Sequence, residues 1–174
     1  MRPPDDGWGH WAVATCKPDA TRRGLVDPIL EWIGAEVRLV TRRAVVATEA
    51  QIFTHYADML VLNDRFPFNV AAELRRRWVG RTITVALFHG QTEDTPQQVR
   101  SLLGHYDPAR ADPSTIRGRY GIDSAAAARA EGRFIENLIH TSDDVEGAER
   151  EFGIWFGPAF AHLLTPRPEE LSRD

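Results

Sequence analysis

The stretch WAVATCKPDA, residues 11–20, joins a mostly apolar run to a segment that disfavours regular structure. Apolar runs of this length, bounded by a turn signal, are typical of buried strands. Lys17, Pro18 and Asp19 supply that signal, so we predict a strand over residues 11–16 that ends in a polar loop. The other predicted elements are arranged around this strand.

Helices and strands alternate along the rest of the chain. Leu25, Ile29 and Ile33 recur at helical spacing, which predicts a helix that ends at Gly34. Three further strands are predicted over residues 37–47, 82–88 and 134–139. Further helices are predicted over residues 48–59, 68–78, 95–103, 124–131 and 142–156, with Thr48, Ser124 and Ser142 as N-terminal caps. The order β-α-β-(α-α)-β-α-β-α predicts an α+β, ferredoxin-like split β-α-β sandwich, in which helices pack on a four-stranded antiparallel sheet.

Length and composition predict a single globular domain, residues 1–174. The 43% hydrophobic and 26% charged residues exclude a disordered or collagen-like chain. A net charge of -4 argues against non-specific nucleic-acid binding, which needs a strongly positive surface. Cys16 is the one cysteine, and the sequence shows neither a signal peptide nor an apolar stretch long enough for a membrane span, so the expected compartment is the cytoplasm.

Lys17 is the single lysine among 21 basic residues. Genome composition accounts for the general excess of arginine. A lysine kept in such a sequence nevertheless indicates a position that requires a compact ammonium group rather than a planar guanidinium. The alternative interpretation is a solvated loop.

Two other segments carry candidate chemistry. Residues 105–121 lack periodicity, and Arg100 and the segment PSTIRGR, residues 113–119, supply guanidinium and hydroxyl donors that suit an anion. Exposed loop arginines are the simpler explanation of that pattern. His140 follows the predicted fourth strand directly before a capped helix, where an unprotonated imidazole can attack an electrophile. A lone histidine is also commonly structural, so neither segment identifies a function by itself.

Taken together, the segments resemble one family in order and spacing. They are VATCKPDATRRGLV, HYAD, FPF, VRSLLGHYDPARADPSTIRG, NLIHTSDD and AEREFGIWF, and they extend from Val13 to Phe156. KPD, TIRG and NxxHxSD in this order are the most specific of these motifs. The sequence resembles the nucleoside diphosphate kinases, and that family's fold is the ferredoxin-like sandwich that the element order predicts.

The resemblance implies an enzyme, a phosphotransferase that moves the γ-phosphate of a nucleoside triphosphate to a nucleoside diphosphate through a phosphohistidine, in a ping-pong reaction. His140 aligns with the nucleophile. The other matched positions are Lys17 and Tyr56 beside the transferred phosphate, Arg100 and Arg117 as phosphate clamps, Phe68 stacking on the base, Asn137 on ribose and phosphate, and Ser142 and Glu151 as orienting partners. Tyr106 stands in the phosphate-binding loop where the family commonly has threonine. Mg2+ is the implied cofactor, and it would bridge phosphate oxygens without dedicated protein ligands.

The resemblance also marks where this chain departs from the family. Residues 122–133 form an insertion, which we expect at the wall that closes over the base, where it would alter nucleotide preference. Residues 1–10 are an N-terminal extension and residues 158–174 a C-terminal tail. The implied partners are nucleoside tri- and diphosphates and further copies of the chain in a hexamer or tetramer, with no nucleic acid and no membrane.

Two other functions are compatible with a fold and pocket of this kind. One is a nucleotide-binding regulatory or scaffold protein with little turnover, and the other is a histidine phosphocarrier that serves protein partners. The matched nucleophile argues against the first, because a binding module needs none. The matched nucleotide clamps argue against the second.

Overall fold

The computed structural model describes residue 4 and residues 6–165, so the predicted extension and tail lie partly outside the described residues. Within that part, four strands form one sheet: β1 (Trp11–Cys16), β2 (Arg38–Val46), β3 (Thr82–His89) and β4 (Ile139–Thr141). The spatial order is β2-β3-β1-β4, and every neighbouring pair is antiparallel. The predicted four-stranded antiparallel sheet is confirmed.

The strand β1 is buried along its whole length because helices cover both faces of the sheet. Trp11 and Val13 belong to one apolar cluster, while Ala12, Ala14 and Cys16 belong to the other. Side chains of a strand alternate between the two faces, so a central strand covered on both sides is apolar on both. This explains why residues 11–16 show no alternation of polar and apolar side chains.

The helices form the two outer layers. They are α1 (Pro18–Arg22), α2 (Val26–Gly34), α3 (Glu49–His55), α4 (Ala57–Val61), α5 (Val70–Arg77), α6 (Thr95–Leu103), α7 (Ile116–Tyr120), α8 (Ala125–Ala130) and α9 (Val145–Trp155). Buried residues of α3, α5 and α9 belong to one cluster, and those of α2, α6 and α7 to the other. None of the helices in the described part is long and apolar enough to cross a membrane.

Two of these helices, α1 and α7, lie in segments that the sequence predicts as loops. Each is only five residues long and carries a start signal. Pro18 occupies the first position of α1, where its missing N–H costs nothing. In α7, the Thr115 side chain accepts a hydrogen bond from the Gly118 N–H. Elements of this length are too short to show a hydrophobic period.

The predicted strand over residues 134–139 is wrong. The strand β4 starts at Ile139 and includes His140. Leu138 has φ 71°, a left-handed backbone conformation that interrupts an extended strand. His140 therefore lies within the sheet rather than after it.

The helix predicted over residues 48–59 is interrupted. Tyr56, with φ -106° and ψ 29°, separates α3 from α4. The capping box at the start of α3 is confirmed, because Thr48 accepts from the Gln51 N–H and the Gln51 side chain accepts from the Thr48 N–H.

Ser142 was expected to cap α9, and this prediction is wrong. The cap is Asp144, whose side chain accepts a hydrogen bond of 2.7 Å from the Gly147 N–H. Ser142 is fully buried, and its hydroxyl is hydrogen-bonded to β1 and to α9 instead.

Residues 122–133, the segment predicted to be an insertion, are fixed to the rest of the fold. Ser124 caps α8 as predicted, by accepting from the Ala127 N–H. Asp123 and Arg133 form an ion pair of 2.5 Å across the base of the insertion. Asp123 also accepts a 2.8 Å hydrogen bond from the backbone N–H of Glu136. These contacts set the path by which the chain enters β4.

Candidate active site

A cavity of about 890 Å³ lies at the end of β1, where Lys17 follows the strand. Eight of the ten residues predicted from the sequence line it: Lys17, Tyr56, Arg100, Tyr106, Arg117, Asn137, His140 and Glu151. Phe68 and Ser142 are not among the lining residues. The fold therefore gathers side chains from widely separated segments around one space.

His140 is oriented by a carboxylate. Its Nε2 atom lies 2.8 Å from Oε1 of Glu151, which is almost completely buried on α9. The other oxygen, Oε2, accepts a 3.0 Å hydrogen bond from the Ser142 hydroxyl. With Nε2 carrying the proton toward the carboxylate, Nδ1 holds the lone pair. The His140 side chain is 23% exposed, so the ring is open to the cavity.

The His140 imidazole is neutral at physiological pH. Burial, reinforced by the nearby positive charge of Lys17, lowers the pKa of His140 to about 3. Burial also raises the pKa of Glu151 above its ordinary value, while His55 and the Ser142 hydroxyl act in the opposite direction. An unprotonated imidazole with one fixed nitrogen is chemically a nucleophile.

The KPD segment holds the strand of His140 in place. Asp19 is buried, and its Oδ2 accepts a 2.9 Å hydrogen bond from the Leu138 N–H. The Lys17 N–H donates to the Leu138 carbonyl at 2.8 Å. Two contacts thus fix the left-handed Leu138, and His140 pairs with Thr15 of β1 just beyond it. This role of Asp19 is not predicted from the sequence.

Lys17 is a partly buried cation whose charge acts on His140. Its Nζ donates a 2.6 Å hydrogen bond to Oδ1 of Asn137 and lies 5.7 Å from the centre of the Trp78 ring. Burial lowers the pKa of Lys17 to about 8, which leaves it mostly protonated at neutral pH. Asn137 in turn donates through Nδ2 to the Tyr106 carbonyl at 2.7 Å. The Tyr106 side chain is 54% exposed, at the mouth of the cavity.

The two predicted arginines differ in their surroundings. Arg117 is buried and donates to the carbonyls of Asn137, Gly104 and Ile139 at 2.7 to 3.2 Å. Burial lowers its pKa to about 10, so it remains charged. Arg100 is 48% exposed and paired with the exposed Asp143. Arg117 is therefore fixed in place, whereas Arg100 is held only by an exposed ion pair, which stabilises little.

Tyr56 lines the cavity, and its hydroxyl is buried. Among the described residues, its Oη has no hydrogen-bond partner. Burial raises the pKa of Tyr56 well above its usual value, so the phenol stays protonated and remains a donor. Because buried polar groups almost always have partners, this hydroxyl is a candidate hydrogen-bond donor to a ligand.

His55 is a site residue that the sequence analysis did not single out. Its ring lies edge-on to the His140 ring at a centroid distance of 4.5 Å. The Trp155 Nε1–H donates to its Nδ1 at 3.3 Å, and burial lowers the pKa of His55 to about 3. His55 therefore packs against His140 as a neutral ring. The position of His55 beside Tyr56 in the HYAD motif is the sequence feature that could have identified it as a site residue.

Phe68 packs in an aromatic group rather than along the cavity wall. Its ring centre lies 5.5 Å from that of Phe66 and 4.9 Å from that of Phe134. Of these three rings, only that of Phe134 belongs to a residue that lines the cavity, and Trp78 is a further aromatic residue of the lining. Phe134 is not predicted as a site residue from the sequence, because its segment is predicted to be a strand.

The cavity wall near His140 carries the three cations Lys17, Arg100 and Arg117. The carboxylates of Asp143 and Glu151 lie in the same part of the wall, paired with Arg100 and His140. At the other end, Arg77 is paired with Glu73 and Glu136 at 2.5 and 2.8 Å. A cavity with this distribution suits a ligand whose negative charge is concentrated at one end.

A scan against family models matches residues 11–160 to the nucleoside diphosphate kinase family. The chain is 36% identical over 143 residues to a nucleoside diphosphate kinase of a Nocardioides species, covering 80% of this chain and 91% of the relative. It is also 36% identical over 143 residues to human nucleoside diphosphate kinase A, covering 82% of each.

Solved structures show the same likeness. A nucleoside diphosphate kinase from Borrelia burgdorferi, a transition-state mimic with bound vanadate and ADP, superposes with a TM-score of 0.75 at 26% identity, covering 86% of this chain and 88% of that one. An NDP kinase from Pyrobaculum aerophilum superposes with a TM-score of 0.71 at 28% identity, covering 86% of this chain and 97% of that one.

The fold and the site define a nucleotide-binding phosphotransferase built on a ferredoxin-like sheet. With a family match across most of its length, the chain belongs to the nucleoside diphosphate kinase family.

Proposed function

We propose that this chain transfers the γ-phosphate of a nucleoside triphosphate to a nucleoside diphosphate through a phosphohistidine at His140. The observation that carries the proposal is the 2.8 Å contact between Nε2 of His140 and Glu151, which leaves Nδ1 as the nucleophilic atom. In the first half-reaction, Nδ1 attacks the γ-phosphorus and the diphosphate leaves. In the second, a diphosphate oxygen attacks the phosphohistidine and His140 is released unchanged.

Surrounding cations would neutralise the charge that moves during transfer. Phosphoryl transfer depends chiefly on positioning and on stabilisation of oxygen charge. Lys17 and Arg117 are held rigidly by Asn137 and by backbone carbonyls, so they need no rearrangement to act on a phosphate. Arg100 would exchange Asp143 for a phosphate oxygen. The unpartnered Tyr56 hydroxyl supplies a further donor.

Glu151 has a second task once His140 is phosphorylated. The phosphorylated ring carries more positive charge than the neutral imidazole, and a carboxylate at Nε2 stabilises that charge. Ser142 keeps the carboxylate in register by binding its other oxygen. We therefore assign Glu151 and Ser142 as positioning residues and His140 as the catalytic residue.

The proposed cofactor is Mg2+, bound with the nucleotide phosphates. Mg2+ prefers oxygen ligands and keeps several waters, so the imidazoles of His55 and His140 do not suit it. The exposed Asp143 carboxylate at the cavity wall is a suitable oxygen ligand, directly or through water. When bound, the ion neutralises phosphate charge; the residues of the chain orient the reacting groups.

We further propose that the substrates bind with the phosphates near His140 and the base toward Phe134, with Phe68 packed against Phe134. The insertion fixes this wall through Asp123 and Arg133. Assembly into a hexamer or tetramer is also a proposal; among the described residues, β2 is an edge strand of the sheet and its Val46 is exposed. Cys16, buried and unpaired, supports the cytoplasm as the compartment.

The test is phosphate transfer from γ-labelled ATP with Mg2+. We expect an acid-labile, alkali-stable label on the protein, absent in His140→Ala, and its transfer to added nucleoside diphosphates across a panel of bases. A regulatory or scaffold protein would bind nucleotide without becoming labelled. A histidine phosphocarrier would become labelled and would pass the label to acceptor proteins but not to nucleoside diphosphates. Retention of the label in His140→Ala would contradict the proposal.

A further inference from the structure

A second cluster of potential ligands lies at the opposite end of β1 from His140. It comprises Asp6, His10 and His89, each partly buried. One ring nitrogen of each histidine and one oxygen of Asp6 all lie within 4.8 Å of one another. Because β1 spans about 17 Å from Trp11 to Cys16 at 3.4 Å per residue, this cluster is separate from the catalytic cavity.

The sheet brings these residues together. His89 ends β3 directly opposite Trp11, and the Gly90 N–H donates to the His10 carbonyl at 2.8 Å. The rings of His10 and His89 are nearly parallel, with an interplanar angle of 23° and centroids 6.0 Å apart. The arrangement is thus set by backbone pairing rather than by exposed side chains alone.

His10 and Asp6 are each also held by a second contact that leaves one ligand atom available. His10 Nδ1 lies 3.2 Å from the Gly90 carbonyl, so a proton on Nδ1 leaves the lone pair on Nε2. The Trp11 Nε1–H donates to Oδ1 of Asp6 at 3.0 Å, which orients Oδ2 toward Nε2 of His89, 2.6 Å away. Backbone carbonyls and hydrogen-bond donors of this kind commonly orient the ligands of protein metal sites.

We propose that Asp6, His10 and His89 form a binding site for a zinc-like divalent cation. Two imidazole nitrogens and one carboxylate oxygen are a donor set that zinc uses, with water as the fourth ligand. Bonds of about 2.1 Å at tetrahedral angles would set neighbouring ligand atoms about 3.4 Å apart, so the 2.6 Å pair opens slightly and the wider pairs close. A bound ion would tie the segment before β1 to the end of β3.

Access also suits the proposal. The side chains of His89 and Asp6 are 14% and 23% exposed, which leaves a path for the ion.

The cavity contains another group with metal-ligand chemistry, His55, His140 and Glu151, so the test removes it first. Zinc binding is measured by competition with a chromophoric chelator in the His140→Gln variant. We expect one Zn2+ per chain. Adding His10→Ala or His89→Ala should reduce the zinc affinity more than tenfold, because even the loss of an outer-shell contact can reduce metal affinity by that factor. Adding His162→Ala, which changes an exposed histidine elsewhere, is the matched control and leaves the affinity unchanged.

Two further measurements keep the result interpretable. Asp6→Asn retains an acceptor for the Trp11 N–H, so it preserves the local fold while weakening zinc binding. The visible spectrum of Co2+ reports the coordination directly, and we expect a four-coordinate spectrum that is lost in His10→Ala. Absence of stoichiometric Zn2+ in His140→Gln, or equal affinities of the His10→Ala and His162→Ala variants, would show that Asp6 and His89 are joined only by a hydrogen bond and would overturn the proposal.

Discussion

Ser142 and His140 share one carboxylate: the Ser142 hydroxyl binds Oε2 of Glu151 at 3.0 Å, while Nε2 of His140 binds Oε1 at 2.8 Å. Ser142 is also anchored to β1, because its hydroxyl accepts from the Val13 N–H at 3.2 Å. The orientation of the imidazole is thus set jointly by a strand and a helix. This relay explains why a serine stands two residues after the histidine without capping a helix.

Removing the charge of Glu151 tests this relay. Glu151→Gln keeps the shape and an acceptor but cannot stabilise a positive ring, so kcat should fall by about 10- to 100-fold, the equivalent of about 1.5 to 3 kcal/mol for a charged hydrogen bond. Glu149→Gln makes the same change at an exposed position two residues earlier and should have no effect. Equal kinetics of the two variants would show that the charge of Glu151 does not contribute to phosphate transfer at His140.

Tyr56→Phe tests the orphaned hydroxyl. The free protein loses no hydrogen bond within the described residues, so its melting temperature should stay equal or rise. If the hydroxyl donates to a bound phosphate, kcat/KM should fall by about 2- to 10-fold, as for loss of a neutral hydrogen bond. A lower melting temperature with unchanged kcat/KM would mean that the hydroxyl is structural.

Substitutions of the two arginines should differ in their effects on activity and on stability. Arg100→Ala should lower kcat/KM by about 10- to 100-fold without changing the melting temperature, because its partner Asp143 is exposed. Arg117→Ala should lower both, since Arg117 is buried and binds three backbone carbonyls. Steady-state kinetics and thermal unfolding of the pair provide the comparison. Identical stability losses would contradict the distinction between a fixed and an exchangeable cation.

The pH profile of kcat/KM follows from two shifted pKa values. His140, with its pKa lowered to about 3, is already neutral above that pH, so no loss of activity is expected near 6.5. Lys17, with its pKa lowered to about 8, loses its charge as the pH rises through 8, and kcat/KM should fall there. A bound phosphate favours the charged lysine, which moves the fall in kcat to higher pH.

The variant Lys17→Arg provides the control for the alkaline limb. Its guanidinium stays protonated, so whatever activity remains should lose the fall near pH 8. An acidic limb near 6.5 in the wild type, or an unchanged alkaline limb in the variant, would contradict these assignments.

Sequence patterns predicted the sheet well, but they did not predict the local backbone conformation that positions His140. The apolar run at residues 11–16 and the order of the motifs indicated the fold. A strand that is buried on both faces consists mostly of apolar residues, and such a run is recognisable in the sequence. The position of His140 within β4 was missed, since it depends on the left-handed Leu138 and its contacts with Asp19 and Lys17. Such contacts join residues about 120 positions apart and leave no periodic trace.

Contacts between aromatic rings were equally hidden from the sequence. Phe134 and His55 reach the cavity through packing against Phe68 and Trp155, and neither partner is near in sequence. The resemblance supplied Lys17, Arg100, Arg117 and Glu151, which line the cavity. Their roles in the reaction remain proposals that the variants above test.

The most direct test identifies the nitrogen that carries the phosphoryl group. The protein is phosphorylated with ATP and Mg2+ and kept at alkaline pH, and the modified ring is examined by 31P and 15N NMR. We predict a single phosphorylated residue, His140, with the phosphoryl group on Nδ1. A phosphoryl group on Nε2, or on another residue, would contradict the orientation that Glu151 imposes.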